Sequence, residues 1–269
     1  MKKKQNIYSY LLDIYLYSSV HIALAASCFV LQTYFILNLN INLQYVLFVF
    51  SGTLFLYVLH NFKGSNYFAS EVPREKMEII SRMKKFLYSA LVFSIIIQIY
   101  SFVHLKIHTI IYLFIMGFIS IWYVIPIFGN NKRLRDYSFI KIFLIALVWA
   151  FLSVWIPLID TEISIYTKAL IFLQNYLFIF ALTIPFDIRD YEYEKKLGLK
   201  TIPSVLGKRR SINLAVLLIL IDVLIVLILK DVYGLKYSLG LIFGYLITIV
   251  AIKYSINKTN DQYFTGLLD

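Results

Sequence analysis

Long apolar runs are the feature of this sequence that most restricts its fold. A run of about 18 or more such residues has the length of a helix that crosses the hydrocarbon core of a bilayer. Eight runs occur along the 269 residues, and they predict membrane spans at 10–37, 43–60, 86–103, 109–128, 139–159, 164–186, 212–230 and 236–255. The prediction is an all-α, polytopic transmembrane helical bundle.

The composition excludes an ordinary soluble domain. Hydrophobic residues make up 60% of the chain and charged residues only 15%, and the mean hydropathy is +0.76. The first run follows Met-Lys-Lys-Lys, but it is longer than a signal-peptide core and lacks a small-residue cleavage site, so we expect it to remain as a span. Residues 1–269 are predicted to form a single transmembrane domain.

Basic residues are distributed unevenly between the two sides of the predicted spans. Of the 26 Lys and Arg residues, all but four lie in the N-terminal segment, alternate loops and C-terminal segment; the exceptions are Lys106, Lys168, Lys230 and Lys236. The positive-inside rule predicts that the basic side and both termini are cytoplasmic. The net charge of +11 then reflects topology and attraction to anionic lipids or phosphates, and no nucleic-acid partner is expected. We expect an integral protein of a bacterial inner membrane.

Three acidic residues follow the sixth predicted span. Asp187, Asp190 and Glu194 are spaced i, i+3 and i+7, a spacing that predicts one face of a helix. Like charges repel at this spacing unless a cation lies against them. Mg²⁺ with a phosphate is one candidate, because Mg²⁺ binds through one or two carboxylates plus substrate phosphates. A solvated cap on the end of the helix is the other interpretation.

Two stretches of the sequence resemble the UbiA superfamily of intramembrane prenyltransferases. The stretch TIPFDIRDYEYEKKLGLKTIPSVLG, residues 183–207, is similar to the second acidic motif of that family and the segment that follows it. The stretch YVIPIFGNNKR, residues 123–133, looks like the family's Tyr, Pro and Lys-Arg connection after the fourth span. With the order of spans and loops, the resemblance covers nearly the whole chain.

The resemblance implies a function and a set of ligands. It implies that Mg²⁺ holds a prenyl diphosphate between two acidic motifs, that the prenyl chain lies in an apolar tunnel, and that the prenyl group passes to an aromatic or other lipophilic acceptor. Asp187, Asp190 and Glu194 would be the metal ligands of the second motif. The 22 Phe, 22 Tyr and 3 Trp residues are suited to an apolar groove, although aromatic residues in spans mostly pack against helices and lipid.

The first acidic motif of the family is degenerate in this chain. At the corresponding place the sequence reads HNFKGSNYFASE, residues 60–71, in which Asn61 matches the motif's asparagine and no aspartate is present. Three explanations are open: chemistry with one metal ion, partial replacement of a metal ion by His60, Lys63 or Arg74, or loss of catalysis.

Basic and polar residues of the predicted cytoplasmic loops are the candidates for binding the diphosphate. Lys132 and Arg189 are the first choices to neutralise the leaving group, and they complete a predicted catalytic set with Asp187 and Asp190. Arginine offers bidentate contacts to phosphate, whereas lysine offers a point charge. The remaining substrate-binding candidates are Asn61, Lys63, Arg74, Tyr123, Arg133 and Lys195.

The same sequence leaves two other functions open. A non-catalytic protein that binds an isoprenoid or lipid, or that scaffolds a protein partner, would explain the degenerate first motif. A transporter would use ionisable residues inside the spans, and Asp13, His21 and Asp222 are of that kind. The resemblance also implies a ninth span, and residues 260–269 look like the lead-in to it.

Overall fold

Every regular element in the described part of the chain is a helix. The computed structural model describes residues 15, 17–67, 79–125, 134, 137, 139–196, 198–256, 258, 263 and 264. The helices are α1 (Val20–Ile36), α2 (Leu43–Tyr67), α3 (Lys84–Phe102), α4 (Ile107–Val124), α5 (Ile140–Leu158, with a π-helical turn at Phe151–Trp155), α6 (Ile165–Arg189), α7 (Tyr191–Lys196), α8 (Ile202–Leu206), α9 (Lys208–Ile228), α10 (Lys230–Tyr233) and α11 (Leu235–Ser255).

The long helices match the predicted spans. Within the described residues, α2, α3, α5, α6, α9 and α11 are long and apolar enough to cross a membrane, and α1 and α4 are shorter apolar helices. Each of the eight predicted spans overlaps one of these helices. The all-α transmembrane fold is therefore confirmed, while the count of eight crossings and the cytoplasmic termini stay predictions.

The first span differs from its predicted range of 10–37. Tyr15 and Tyr17 are already helical, but the helix is interrupted before α1 begins at Val20, because Ser19 has a left-handed backbone conformation with φ of 65° that does not occur inside a right-handed helix. The Val20 N–H donates to the Ser18 Oγ over 3.3 Å, so a serine side chain satisfies one of the free N–H groups at the start of α1.

The chain divides into two compact units. The first unit contains Met1–Cys28 and Asn42–Ile110, and the second contains Phe29–Ile41 and Ile111–Asp269. In the first unit, α2 packs against α3 through a core that includes Leu54, Val58 and Leu87. The single domain over residues 1–269 stays a prediction.

The core of the second unit is built around α6. This helix packs against both α5 and α9, and α9 packs in turn against α11. Alanines that are completely buried lie on three of these helices, at Ala146, Ala181 and Ala215. Small side chains let membrane helices approach closely, so these alanines favour tight packing around the helix that carries the acidic motif.

The predicted orientation can be tested by labelling single cysteines. In a Cys28→Ala background, we expect cysteines at Asn131 and Val205 to react with a membrane-impermeant maleimide from the cytoplasmic side, and one at Asn40 only from outside. Val205 is 60% exposed and Asn40 is also exposed, so access is not limited by packing. Labelling of Asn131 and Val205 from opposite faces would contradict the topology.

Candidate active site

The end of α6 carries the two carboxylates that the structure brings together. Pro185 lies inside this helix, one turn before its end, and has no N–H to donate to the carbonyl one turn earlier. Asp187 follows in the last turn and is 1% exposed. Asp190 forms the C-cap, with its backbone N–H donating to the Phe186 carbonyl over 3.0 Å.

The expectation that one helix face carries all three acids is wrong. The helix ends at Arg189, and α7 begins anew at Tyr191. The helix is interrupted at Asp190, whose backbone ψ of 0° departs from the helical value. Aspartate is a weak helix former, since its short side chain makes local contacts that compete with the helix. Glu194 lies in α7, and its side chain falls outside the described residues.

A lysine from the neighbouring helix lies between the two carboxylates. The Lys141 Nζ is 2.8 Å from Asp187 Oδ1 and 3.8 Å from Asp190 Oδ2. The side chains of Lys141 and Asp187 are 14% and 2% exposed. A carboxylate buried to this degree needs a positive partner, and Lys141 of α5 supplies the charge across the contact between α5 and α6.

Arg189 is held against the second carboxylate. Its Nε donates to Asp190 Oδ1 over 2.8 Å and its Nη2 donates to Asp190 Oδ2 over 3.3 Å, which is the bidentate arrangement typical of Arg with a carboxylate. The guanidinium carbon lies 5.3 Å from the centre of the Phe186 ring and 5.5 Å from that of Phe264. Both distances are within the range of a cation–π contact. The two rings and the Asp190 carboxylate together hold the Arg189 side chain in place.

The start of α5 is fixed by the segment that follows the acidic motif. Phe139, which precedes this helix, has a left-handed φ of 63°, an unfavourable conformation for a bulky residue that surrounding contacts must maintain. Its backbone N–H donates to the Lys200 carbonyl over 3.1 Å. This hydrogen bond attaches the start of α5 to the segment that follows the acidic motif. Lys141 comes only two residues after Phe139, so the bond helps to position the lysine near the acids.

The other predicted site residues lie elsewhere or outside the described part of the chain. Asn61, in the first unit, donates from Nδ2 to the Tyr17 carbonyl over 3.3 Å and to Ser19 Oγ over 3.1 Å. Tyr123 is half-buried at the end of α4, and Lys195 is exposed on α7. Lys132, Arg133 and Arg74 fall outside the described residues, as does the side chain of Lys63. Their roles stay predictions.

The residues at the end of α6 fit a single Mg²⁺ ion. Asp187 and Asp190 offer hard carboxylate oxygens, and one cationic atom, Lys141 Nζ, already lies within 4 Å of both. Mg²⁺ often takes one or two protein carboxylates and completes its shell with water and phosphate. Within the described residues no group of three His, Cys, Asp or Glu side chains forms a larger metal site.

Lys141 was missed by the sequence reasoning, which counted it only among the basic residues of a loop. It lies at the start of the predicted span 139–159, where a lysine is followed by a long apolar run. An ionisable residue within a span has a large desolvation cost and usually has a specific partner. The desolvation cost of Lys141 was therefore a sign in the sequence that this lysine has a partner. It does not show that the partner is Asp187.

A second buried polar group lies deeper in the second unit. Tyr233 donates to Gln174 Oε1 over 2.6 Å, and Gln174 Nε2 donates to the Tyr245 hydroxyl over 2.7 Å. Burial raises the pKa of the Tyr233 phenol, which therefore remains a donor. Asp222 is completely buried, and neither of its carboxyl oxygens has a hydrogen-bond partner within the described residues.

The isolation of Asp222 leads to a stability prediction. We expect Asp222→Leu to raise the free energy of unfolding in detergent by about 1–3 kcal/mol, because an unbonded buried polar group costs about that much. Unfolding in mixed SDS micelles, followed by circular dichroism, would measure it. Asp231→Leu is the control, since Asp231 is exposed and its replacement should change stability by less than about 0.5 kcal/mol. A lower stability of Asp222→Leu would indicate a partner for this carboxyl.

Comparison with solved structures identifies the fold. A structure of a digeranylgeranylglyceryl phosphate synthase in membranes is similar at 19% identity with a TM-score of 0.59, over 97% of this chain and 93% of that chain. A UbiA homologue from Archaeoglobus fulgidus bound to GPP and Mg²⁺ is similar at 16% identity with a TM-score of 0.64, over 94% and 95%. The same homologue bound to DMAPP and Mg²⁺ gives 16% identity and a TM-score of 0.61, over 98% and 95%. At these identities the likeness shows a shared fold.

Sequence comparison identifies the family. No curated protein matches the chain. The profile of the UbiA prenyltransferase family matches residues 69–264, well over half of the chain, and that stretch includes Lys141 and the whole acidic motif at the end of α6. The resemblance seen in the sequence is therefore confirmed. The chain is a membrane protein that belongs to the UbiA prenyltransferase family.

Proposed function

We propose that this protein transfers a prenyl group from a prenyl diphosphate to a lipophilic acceptor with the help of Mg²⁺, in a bacterial inner membrane. The observation that carries the proposal is the cluster at the end of α6, where Asp187 and Asp190 lie within 4 Å of Lys141 Nζ. The UbiA homologue that binds GPP or DMAPP with Mg²⁺ supports this choice of donor and metal.

Charge neutralisation is the chemical role of this cluster. As the bond between the prenyl carbon and the diphosphate breaks, negative charge grows on the leaving group, and positive groups fixed nearby stabilise it. In this proposal Lys141 and Arg189 supply two such charges, and Asp187 and Asp190 hold Mg²⁺, which would add further positive charge. Lys132, Arg133, Lys63 and Arg74 remain candidates for the same role.

A row of aromatic residues on α6 supports an apolar path for the prenyl chain. Phe180 and Tyr176 precede Asp187 by 7 and 11 residues, nearly whole numbers of turns, so they share its helix face. The Phe143 ring of α5 lies 5.0 Å from that of Phe180, and the Tyr176 ring lies 6.0 Å from it. The row continues to Phe172, about 22 Å from Asp187 along the helix.

The aromatic row also has a chemical use in this proposal. An allylic carbon gains positive charge as the diphosphate leaves, and aromatic faces attract cations. An apolar lining keeps water away from that carbon. The π-helical turn of α5 supplies two more rings to the row, because Phe151 lies 5.0 Å and Trp155 lies 5.8 Å from Phe172. Such turns are frequent at functional sites.

Transfer of label from a prenyl diphosphate to lipid tests the proposal. The full chain in nanodiscs is incubated with radiolabelled prenyl diphosphates of several lengths, Mg²⁺ and an extract of lipophilic acceptors. We expect label in the organic phase with Mg²⁺ and none with excess chelator, because the diphosphate is poorly neutralised without the metal ion. Equal transfer in both conditions would contradict the role of Mg²⁺.

The degenerate first acidic motif favours a second function, which is binding of an isoprenoid without catalysis. That stretch contains no aspartate, and the Nδ2 of its Asn61 is bonded to Tyr17 and Ser19 within the first unit. A protein that binds a prenyl diphosphate or an isoprenoid without turnover would need only the cluster on α6. Saturable binding of the labelled diphosphate without any transfer would select this alternative, and the absence of both binding and transfer would reject both functions.

A further inference from the structure

An aromatic residue that follows the last long helix lies against the acidic motif. Helix α11 ends at Ser255, and Phe264, which comes after it in the chain, is completely buried. The Phe264 ring lies 5.9 Å from that of Phe186, the residue of α6 that directly precedes Asp187. Phe264 also belongs to the hydrophobic core that is built around α6. It therefore forms part of the surroundings of the candidate active site.

Phe264 contacts the site through Arg189. The Arg189 guanidinium carbon lies 5.5 Å from the centre of the Phe264 ring, while the Nε and Nη2 of the same arginine donate to the Asp190 carboxylate. The Arg189 side chain is 25% exposed, so an anion can reach it. Arginine has a long, flexible side chain, and ordering it in advance lowers the entropic cost of binding.

Tyr263 attaches Phe264 to α11. Its hydroxyl donates to the Ala251 carbonyl over 2.6 Å, and its ring lies 5.9 Å from that of Tyr254. The Tyr263 ring also lies 5.5 Å from that of Phe264, with an angle of 84° between the two planes, which is a favourable edge-to-face arrangement. These contacts fix the position of the ring against which Arg189 packs.

The aromatic character of Phe264 is important for this contact. The face of an aromatic ring attracts a guanidinium electrostatically, and the attraction is larger where water is excluded. Phe264 is 0% exposed, so water does not weaken the contact at the ring. An aliphatic side chain of similar size would fill the same space without attracting the cation. The bulk of the side chain alone therefore does not replace the ring.

We propose that Phe264 is a positioning residue of the active site. Anchored to α11 by Tyr263, it holds the Arg189 guanidinium beside Asp190, where the guanidinium neutralises the diphosphate of the prenyl donor. The inference rests on the proposed function, because it takes the diphosphate as the ligand of Arg189. The contact between Phe264 and Arg189 needs no ligand, so it can be tested separately from prenyl transfer.

A double-mutant cycle in the ligand-free protein tests the contact. Unfolding of the full chain in mixed SDS micelles is measured for Phe264→Leu, Arg189→Met and the double variant. We expect a coupling of roughly fivefold in the unfolding equilibrium constant, the size of a cation–π contact that is partly shielded from water. Phe264→Tyr retains the ring, so its effect should be additive with that of Arg189→Met. Ile252→Val is the control for packing and should also be additive, since Ile252 is completely buried on α11 but has no ring.

The affinity for geranyl diphosphate tests the role in the active site. Binding of the radiolabelled compound to the full chain in nanodiscs is measured with Mg²⁺ present. We expect the Kd to rise roughly fivefold in Phe264→Leu, because Arg189 must then be ordered as the diphosphate binds. Phe264→Tyr should restore most of the lost affinity, and Ile252→Val should bind as the unmodified protein does. In the Arg189→Met background, Phe264→Leu should cause no further loss, since the ring acts through the arginine.

Several results would overturn the inference. They are additive effects of Phe264→Leu and Arg189→Met on unfolding, an unchanged Kd in Phe264→Leu, or an equal loss of affinity in the Arg189→Met background. If Phe264→Leu does not insert, Phe264→Met takes its place in both measurements. Coupling in unfolding without any binding of geranyl diphosphate by the unmodified protein would reject the proposed function. The role of Phe264 toward the diphosphate would then fall with that function, while its contact with Arg189 would stand.

Discussion

Asp187→Asn is expected to lower the rate of prenyl transfer by roughly 100-fold to 1,000-fold, the loss that follows removal of one fixed group that stabilises transition-state charge. The asparagine amide has nearly the size of the carboxylate but lacks its charge, and it binds Mg²⁺ more weakly. Asp187 is 1% exposed, so its carboxylate is held in one position by the surrounding helices. Asp190→Asn is expected to lower the rate of prenyl transfer by a smaller factor. The Asp190 side chain is 28% exposed, so a water molecule can take the place of the lost carboxylate oxygen.

The effect on the rate must be separated from an effect on folding. Transfer of labelled prenyl groups is measured at saturating diphosphate, together with the unfolding midpoint of each variant. Asp231→Asn is the matched control, because Asp231 is an exposed aspartate on α10 and its rate should be unchanged. If Asp187→Asn and Asp190→Asn both retained rates within about threefold of the unmodified protein, their assignment as metal ligands would be wrong.

Lys141→Met is expected to destabilise the protein by about 3–5 kcal/mol, since removal of one partner of a buried ion pair leaves the other charge uncompensated. The pair in question joins Lys141 Nζ to Asp187 Oδ1 over 2.8 Å. The double variant Lys141→Met/Asp187→Leu should recover most of this loss, because well-packed apolar residues often replace a buried ion pair without a net cost.

A double-mutant cycle measures this coupling. Unfolding free energies of the unmodified protein, both single variants and the double variant give an interaction energy that is expected to exceed about 2 kcal/mol, within the range for residues in direct contact. Lys253→Met on α11 is the control, since Lys253 is exposed and its removal should change stability by less than about 0.5 kcal/mol. Additive effects of the two single variants would mean that the ion pair contributes no coupling.

The motif residues show where prediction from the sequence succeeded and where it did not. The sequence predicted that Asp187 and Asp190 lie together at the end of the sixth span, and the structure brings them together around one lysine. It did not predict that the helix stops between them, since the break depends on the local conformation at Asp190. Lys132 was predicted to neutralise the leaving group, and that stays a prediction because Lys132 falls outside the described residues; the cation that lies within 4 Å of both acids is Lys141.

Local interactions explain what the sequence determined by itself. Helical hydrogen bonds join residues four apart, and a membrane span must satisfy all of its backbone groups internally. Apolar runs of sufficient length therefore predicted the positions of α2, α3, α5, α6, α9 and α11, and the residues around Asp187 predicted the family. These features require no knowledge of which helices are neighbours.

Contacts between distant residues were decided only by the tertiary structure. Lys141 and Asp187 are separated by 46 positions and Gln174 and Tyr245 by 71, and neither pairing follows from helical periodicity. Each depends on which faces of α5, α6, α9 and α11 pack together, because ion pairs and hydrogen bonds act over about 3 Å. The charge partner of Asp187 and the hydrogen bond between Gln174 and Tyr245 exist only in the packed protein.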